Sequence, residues 1–126
     1  MECSVDRRHF LRSVGYALKG IAFAFRTQRN LRWHGIAACA TLALAFKLGL
    51  HRVEMAILVV VIGLVVCAEI LNTAVELTID MIKITEHPVA RIVKDVAAGA
   101  VLITAIMSIA VAWFVIWPHL VRWVAR

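Results

Sequence analysis

The sequence lacks the loops and signals by which many protein classes are recognised. No G-x-x-x-x-G-K-[ST] segment occurs, and none of the 6 glycines forms a G-x-G-x-x-G run, so P-loop and Rossmann-type nucleotide sites are excluded. No internal repeat, low-complexity segment or linker is present, which predicts one domain over residues 1–126. The 3 cysteines are odd in number and two lie in apolar stretches, which favours small core residues over a disulfide framework.

A secretory signal and a surplus of acidic residues are also missing. Residues 2–12 carry acids and arginines where a signal peptide would have a basic patch and then an apolar run, so we expect the N-terminus to be retained. The chain has 8 acidic residues against 14 Lys and Arg, a net charge of +6, which favours anionic lipid headgroups as partners. Nucleic acid is not expected as a partner, because the basic residues adjoin the apolar stretches.

Apolar sequence, in contrast, is abundant. Hydrophobic residues make up 63% of the chain, far more than in an ordinary soluble domain. Three stretches, 34–50, 55–71 and 96–117, each approach the roughly 17 to 25 residues that cross a bilayer as a helix. The first is marginal, because charged side chains near its ends would have to snorkel to the interface. These stretches predict an all-α membrane protein with three transmembrane helices.

A further helix precedes the first span. Between residues 5 and 28 apolar side chains recur at helical spacing with basic residues between them, which predicts an amphipathic helix at the membrane surface. A tight hairpin is expected at 48–52, Pro88 suits the first turn of the last helix, and Pro118 is expected to end it. The predicted elements are a surface helix at about 5–30 and membrane helices at about 34–50, 55–82 and 88–117.

The basic residues predict the orientation of these helices. Ten Lys and Arg residues lie before the first span or between the second and third, whereas 4 lie in the loop after the first span and in the C-terminal tail. Cytoplasmic loops carry the excess of Lys and Arg in membrane proteins. We therefore expect the N-terminus and the second loop to be cytoplasmic.

Four polar residues of the second span form what we call the acidic stripe. Glu69, Asn72, Glu76 and Asp80 follow one another at spacings of 3, 4 and 4 residues, so a rotation of about 100° per residue puts them on one helix face. An acid at mid-membrane costs roughly 2.5 to 3.5 kcal/mol on insertion scales, so Glu69 must face protein, water or a metal. Three spans shield the stripe poorly, which predicts an oligomer with shared grooves.

The third span begins with a polar pair of its own, Lys94 and Asp95, followed by the small residues 97–100. Small side chains let a neighbouring helix approach closely. We therefore expect the second and third spans to pack with Lys94 and Asp95 near Glu76 and Asp80.

Several functions fit this set of groups. Phosphoryl transfer needs a divalent metal held by carboxylates, a cation on the phosphates and a base at the attacking hydroxyl. Glu76 with other acids could hold the metal, Lys94 could meet a phosphate, and Glu69 could address a hydroxyl presented from the lipid side. Acids and an Asn on one face also suit a cation or proton pathway, and a structural polar seam is a third interpretation. Spacing alone leaves all three open.

Two runs in this part of the chain resemble a known family. Residues 69–80, Glu-Ile-Leu-Asn-Thr-Ala-Val-Glu-Leu-Thr-Ile-Asp, and residues 94–102, Lys-Asp-Val-Ala-Ala-Gly-Ala-Val-Leu, look like the signature of the prokaryotic diacylglycerol kinase and undecaprenol kinase family. The resemblance covers nearly the whole chain, including Tyr16 in the surface helix and the Arg29-Asn30 pair. It implies ATP-dependent phosphorylation of a lipid alcohol and leaves small-cation transport as the weaker alternative.

The resemblance also implies an assembly and a set of roles. The assembly is a homotrimer with active sites shared between protomers, at the cytoplasmic face of the bacterial inner membrane. Glu69 would be the base on the lipid hydroxyl, with Asn72 and Ala98 at the lipid site, and Glu76 would be a ligand of Mg²⁺. The ATP-binding residues would be Tyr16, Gln28, Glu76, Glu86, His87, Lys94 and Asp95.

Two positions depart from the family's pattern. Gln28 stands where the family commonly has a second glutamate ligand of Mg²⁺. Its amide oxygen can still coordinate the metal but carries no charge, so we expect weaker metal binding unless another acid contributes. His9 stands where some relatives have a nucleotide-binding Arg, for which Arg8 or Arg12 would substitute.

The expected substrate follows from the branch that the chain resembles more. The His87-Pro88 turn and the form of the small-residue run at 97–100 look like the undecaprenol kinase branch. The resemblance therefore implies undecaprenol as the substrate and undecaprenyl phosphate as the product. Diacylglycerol, converted to phosphatidic acid, is the alternative.

Overall fold

The fold consists of long helices. The computed structural model describes residues 3–82 and 87–125, with side chains from residue 9 onward. Within those residues it contains α1 (Cys3–Thr27), α2 (Arg29–Lys47), α3 (Arg52–Met81) and α4 (Pro88–Val124). The predicted all-α class is confirmed.

The surface helix ends before the predicted boundary at residue 30. Gln28 adopts extended backbone angles, φ −94° and ψ 114°, and is the N-cap of α2. Arg29 and Asn30 therefore belong to α2, which begins at Arg29 rather than at residue 34. The break was expected near residues 30–34 and lies earlier because polar residues such as these are tolerated in either helix and do not fix the boundary. At Gly35 a Cβ would lie 3.3 Å from the Phe25 ring, so the missing side chain lets α1 and α2 approach closely.

The turn between α2 and α3 is the predicted tight hairpin. Gly49 has a φ of 69°, in the left-handed region that glycine adopts without the steric penalty of a Cβ. The N–H groups of Leu48 and Leu50 donate to the carbonyls of Leu44 and Ala45, at 2.9 and 3.2 Å. These bonds satisfy carbonyls that the end of α2 would leave without partners.

The prediction that Pro118 ends the last helix is wrong. The helix α4 continues through Pro118 to Val124. A proline removes one backbone hydrogen bond inside a helix, but new contacts hold the segment beyond it. Arg122 Nε donates to the Pro118 carbonyl at 3.1 Å, and His119 Nε2 lies 2.9 Å from a carboxylate oxygen of Glu54 on α3.

The helices pack around α3. Its most extensive contact is with α4, followed by α2, and α1 contacts α2 and α3 more lightly. The fully buried core is small, with Leu31 of α2 and Leu58 of α3 as its largest members. The acidic stripe and the polar start of α4 are thus held on helices that pack directly against each other.

Two helices, α3 and α4, are long and apolar enough to cross a membrane. Only 17% and 6% of their most apolar segments are buried within the chain, whereas a core helix of a soluble protein would be largely covered. The helix α2 does not meet the same criterion, because its 19 residues include Arg29, Arg32 and Lys47. This pattern is consistent with a small membrane protein.

Candidate active site

The acidic stripe runs from the interior of the chain to its surface. Glu69 is 3% exposed and Asn72 is 9% exposed, whereas Glu76 is half-buried and Asp80 is exposed. Glu69 thus faces protein, one of the three environments (protein, water or a metal) expected for it. The deepest carboxylate is therefore separated from water, and the groups closer to the end of α3 become steadily more accessible.

His34 on α2 faces the Glu69 carboxylate. Its Nε2 lies 3.4 Å from Glu69 Oε1, and the two side chains are 30% and 4% exposed. Thr73, which is also buried, donates its hydroxyl to the Glu69 backbone carbonyl at 2.8 Å and not to the carboxylate. Among the described residues, His34 is thus the polar side chain directed at this acid.

Asn72 and Glu76 form the next pair along the stripe. Asn72 Nδ2 donates to Glu76 Oε1 at 2.9 Å, one helical turn apart. The amide oxygen of Asn72 is buried and has no hydrogen-bond partner within the described ranges. Buried polar atoms are nearly always paired, so this oxygen is available to a group that the polypeptide does not supply.

The outer end of the stripe meets the start of α4. The Lys94 ammonium donates to the Asp80 carboxylate, with the lysine half-buried. The expected approach of Lys94 to Asp80 is confirmed. Asp95 is exposed beside it, so a cation and two acids stand at the accessible end of the stripe.

The other predicted nucleotide contacts lie apart from these pairs. Tyr16 is 69% exposed on α1, and the Lys19 ammonium lies 5.8 Å from its ring centroid. Gln28 is half-buried at the N-cap of α2, and no hydrogen bond among the described residues joins it to Glu76. Glu86 lies outside the described residues.

His87 and Ala98 lie at the start and in the early turns of α4. His87 caps that helix, because its Nδ1 accepts from the Val89 N–H at 3.2 Å. Ala98 is exposed, and the neighbouring Gly99 has no atom of the described chain within 4 Å of where a Cβ would lie. Within the described residues of one chain, no other helix therefore packs closely against α4 at Gly99, although the small-residue run predicted such a contact.

The oxygen groups of the stripe suit a hard divalent cation. Mg²⁺ takes oxygen ligands and is commonly held by one or two carboxylates together with substrate phosphates. Glu76 engages one carboxylate oxygen with the Asn72 amide nitrogen, which leaves its other oxygen, and the same Asn72 amide carries a buried oxygen without a partner among the described residues. No group of three or more potential His, Cys, Asp or Glu ligands occurs in the described part of the chain. The site therefore fits a Mg²⁺ ion that is held by few protein oxygens and takes its other ligands from a substrate phosphate.

One residue of this site was not identified from the sequence. In the sequence His34 is only the first residue of the apolar stretch 34–50, and its contact with Glu69 joins residues far apart in the chain. Helical spacing relates residues on one helix and carries no information on which residue of α2 meets α3. No sequence signal used above could have found this contact.

Comparisons with known proteins cover most of the chain. The model of the prokaryotic diacylglycerol kinase family matches residues 15–116. Undecaprenol kinase of Bacillus subtilis is 40% identical over 115 residues, which cover 91% of this chain and 94% of that enzyme. Diacylglycerol kinase of Synechocystis is 39% identical over 113 residues, 89% of this chain and 65% of that enzyme. Diacylglycerol kinase of Escherichia coli K12 is 28% identical over 109 residues, 86% of this chain and 89% of that enzyme.

These matches confirm the family expected from residues 69–80 and 94–102. A family model that covers residues 15–116 includes all four members of the acidic stripe and both members of the Lys94-Asp95 pair. The relatives carry the names of lipid kinases, which confirms the interpretation of the chain as an enzyme of that class over transport and a structural seam. The chain belongs to the prokaryotic diacylglycerol kinase family.

Proposed function

We propose that the protein transfers the γ-phosphoryl group of ATP to the hydroxyl of undecaprenol, giving undecaprenyl phosphate and ADP. The observation that carries this proposal is the buried Glu69 carboxylate, which is 3% exposed on a helix whose apolar side chains are largely uncovered. A base in that position suits a hydroxyl that arrives from lipid rather than from water. The 40% identity to undecaprenol kinase over 94% of that enzyme supports the choice of alcohol.

Glu69 removes the proton from the lipid hydroxyl in this proposal. The lipid oxygen then forms a bond to the γ-phosphorus as the bond from that phosphorus to the ADP oxygen breaks. A carboxylate can serve as such a base when it lies within hydrogen-bond reach of the proton that it removes. Asn72, one turn along α3, and Ala98 on α4 line the lipid side of the site.

The accessible end of the stripe binds the nucleotide. Lys94, held by Asp80 in the free chain, offers its ammonium to the phosphates, and Asp95 assists beside it. The residues of the turn before α4 and of α1 lie against the rest of ATP. The full set of proposed ATP contacts is Tyr16, Gln28, Glu76, Glu86, His87, Lys94 and Asp95.

Glu76 and Gln28 are the proposed ligands of Mg²⁺. When bound, the metal neutralises charge on the β- and γ-phosphates. Asn72 orients Glu76 through their 2.9 Å hydrogen bond to one carboxylate oxygen, which leaves the second oxygen for the metal. Gln28 would contribute its amide oxygen from the N-cap of α2.

The proposed assembly is a homotrimer of a single-domain chain with three membrane spans, α2 being the first. Much of the apolar surface of α3 and α4 is uncovered in one chain, and the open space at Gly99 would admit a helix of another protomer. Sharing sites between protomers would bring α1 and the α2 N-cap to a neighbouring stripe. The excess of basic residues before α2 and between α3 and α4 supports a cytoplasmic active site at the bacterial inner membrane.

Diacylglycerol is the second candidate substrate. The Synechocystis relative, named diacylglycerol kinase, is 39% identical, nearly as similar as the undecaprenol kinase. Both lipids present one alcohol at the membrane interface, and the groups of the stripe act on that alcohol alone. The choice between them therefore depends on the tail and not on the chemistry of transfer.

The test is transfer of labelled phosphate from ATP by the purified protein in mixed micelles that contain equal amounts of undecaprenol and diacylglycerol. We expect label on undecaprenol at the higher rate, and none without Mg²⁺ or in Glu69→Gln. A higher rate on diacylglycerol would reverse the order of the two substrates. Failure to label either lipid, from folded protein at high Mg²⁺, would refute the kinase proposal.

A further inference from the structure

The Glu69 carboxylate has one polar neighbour among the described residues, and that neighbour comes from a different helix. His34 Nε2 lies 3.4 Å from Glu69 Oε1. The buried Leu31, one turn earlier on α2, is 0% exposed and holds this part of the helix against the core. Packing thus fixes the α2 backbone that carries His34, whose side chain is 30% exposed.

A buried base needs a partner that fixes its direction. Glu69 can rotate about three side-chain bonds, and misplacement of a reacting group by about 1 Å can slow catalysis 100-fold. The backbone carbonyl of Glu69 is tied to Thr73, but that bond leaves the carboxylate free to turn. Glu76 carries a like charge along the same helix, which favours rotation away from it. His34 attracts the Glu69 carboxylate and so would hold it in one of the orientations that this repulsion allows.

The chemistry of imidazole suits this task. In the neutral tautomer that carries a proton on Nε2, and in the protonated ring, Nε2 donates a hydrogen bond to a carboxylate oxygen. The donor would occupy Oε1 and leave Oε2 to receive the substrate proton. Catalytic hydrogen bonds are often long in the free enzyme and shorten once substrate is bound, so the 3.4 Å separation is appropriate for the free chain.

We propose that His34 is a positioning residue for Glu69, which holds the carboxylate by a hydrogen bond from Nε2 while the second carboxylate oxygen faces the lipid hydroxyl. This inference rests on the proposed kinase function and adds to it a role on α2. His34 does not contact the phosphates in this account. Its loss should therefore affect the rate of transfer and leave the binding of ATP nearly unchanged.

Three variants test the proposal against a merely structural role. His34→Ala removes the donor, and we expect kcat to fall about 10- to 100-fold with the KM values for lipid and ATP within about twofold of the parent. His34→Gln keeps an amide N–H at nearly the position of Nε2, so we expect it to regain most of the lost kcat. Thr41→Val is the matched control, since Thr41 is half-buried two turns further along α2 and should retain full activity.

The outcomes separate this inference from the function on which it rests. Inactivity of the parent protein on both lipids would refute the kinase proposal itself. An active parent with an inactive Glu69→Gln and a fully active His34→Ala would overturn the role of His34 alone. A His34→Gln variant as slow as His34→Ala would likewise overturn positioning through a hydrogen bond. Equal melting temperatures of the three variants, with the expected split between kcat and KM, would support it.

Discussion

The two polar regions of α3, one around Glu54 in its first turn and one around Glu69 in its interior, are built in opposite ways. Glu54 uses both carboxylate oxygens, accepting from the His51 N–H at 2.8 Å and contacting His119 Nε2 at 2.9 Å. Glu69 is more deeply buried but has a single contact at 3.4 Å. Asn72, one turn along from Glu69, has a buried oxygen without a partner among the described residues.

The difference separates polar groups that stabilise the fold from polar groups that are available to bind a ligand. A carboxylate with both oxygens engaged joins the α2–α3 turn to α4, and it has little capacity left to bind anything else. Buried polar atoms without partners reduce the free energy of unfolding, and their retention indicates a use that compensates for this loss. Among the described residues, the region around Glu69 has such an unpaired buried atom, and the region around Glu54 does not.

The largest effect outside Glu69 is expected for Glu76→Gln. Removal of its charge weakens the proposed metal site, so kcat at fixed Mg²⁺ should fall about 100-fold, with weaker ATP binding and partial recovery at high Mg²⁺. A Mg²⁺ titration of activity, together with ATP binding, measures both effects. An unaltered Mg²⁺ requirement would show that Glu76 is not a ligand.

Asn72→Leu should affect activity and stability in opposite directions. The change removes a buried oxygen that lacks a partner, and the half-buried Glu76 carboxylate can replace the lost amide hydrogen bond with water, so unfolding should require up to about 1 kcal/mol more. Activity should fall about tenfold because Glu76 loses its orienting amide. Thermal unfolding and a transfer assay on the same sample measure the two. A less stable variant with full activity would instead make Asn72 an ordinary structural residue.

Gln28→Glu should improve the metal site by a smaller amount. An added carboxylate at the N-cap of α2 provides the charge that the amide lacks, so half-maximal activity should need a few-fold less Mg²⁺. The same titration measures it, with Thr27→Glu as the control that adds the charge one residue earlier, on the exposed end of α1. An identical shift in both variants would indicate general electrostatics and not coordination.

His119→Ala should leave activity unchanged and lower only the stability. The substitution removes the link from α4 to Glu54 and one partner of the His51 ring, whose centroid is 6.4 Å away. We expect the melting temperature to fall by a few degrees and kcat to remain that of the parent. A large loss of kcat at an unchanged melting temperature would contradict a purely structural role for the region around Glu54.

Much of the fold was predictable because it depends on local pattern. Helical periodicity gave the acidic stripe, the continuation of α3 to Met81 and the approach of Lys94 to Asp80. Each of these depends on residues within one helix or on two polar clusters that flank the same short turn. The site roles of Glu69 and Glu76 came from the resemblance to a family, since spacing alone also fitted transport or a structural seam.

The features that could not be predicted depend on contacts between distant residues. Pro118 was expected to end α4, but the helix continues to Val124, and the contact of His119 with Glu54 on the adjacent α3 holds the segment beyond the proline. The contact of His34 with Glu69 is of the same kind. The break at Gln28 was predicted a few residues too late, near residues 30–34, because the polar residues on both sides of it are compatible with a helix.

The central claim is tested most directly by making the same substitution at Glu54 and at Glu69, the carboxylates of the two polar regions of α3. Glu69→Gln and Glu54→Gln each replace a carboxylate with an amide on one helix, and both variants are assayed for phosphate transfer to lipid and for thermal unfolding. We predict that Glu69→Gln loses between about 100- and 10,000-fold in kcat without a loss of stability, and that Glu54→Gln melts at a lower temperature with its activity retained. Full activity in Glu69→Gln, or inactivation of a folded Glu54→Gln, would contradict the account.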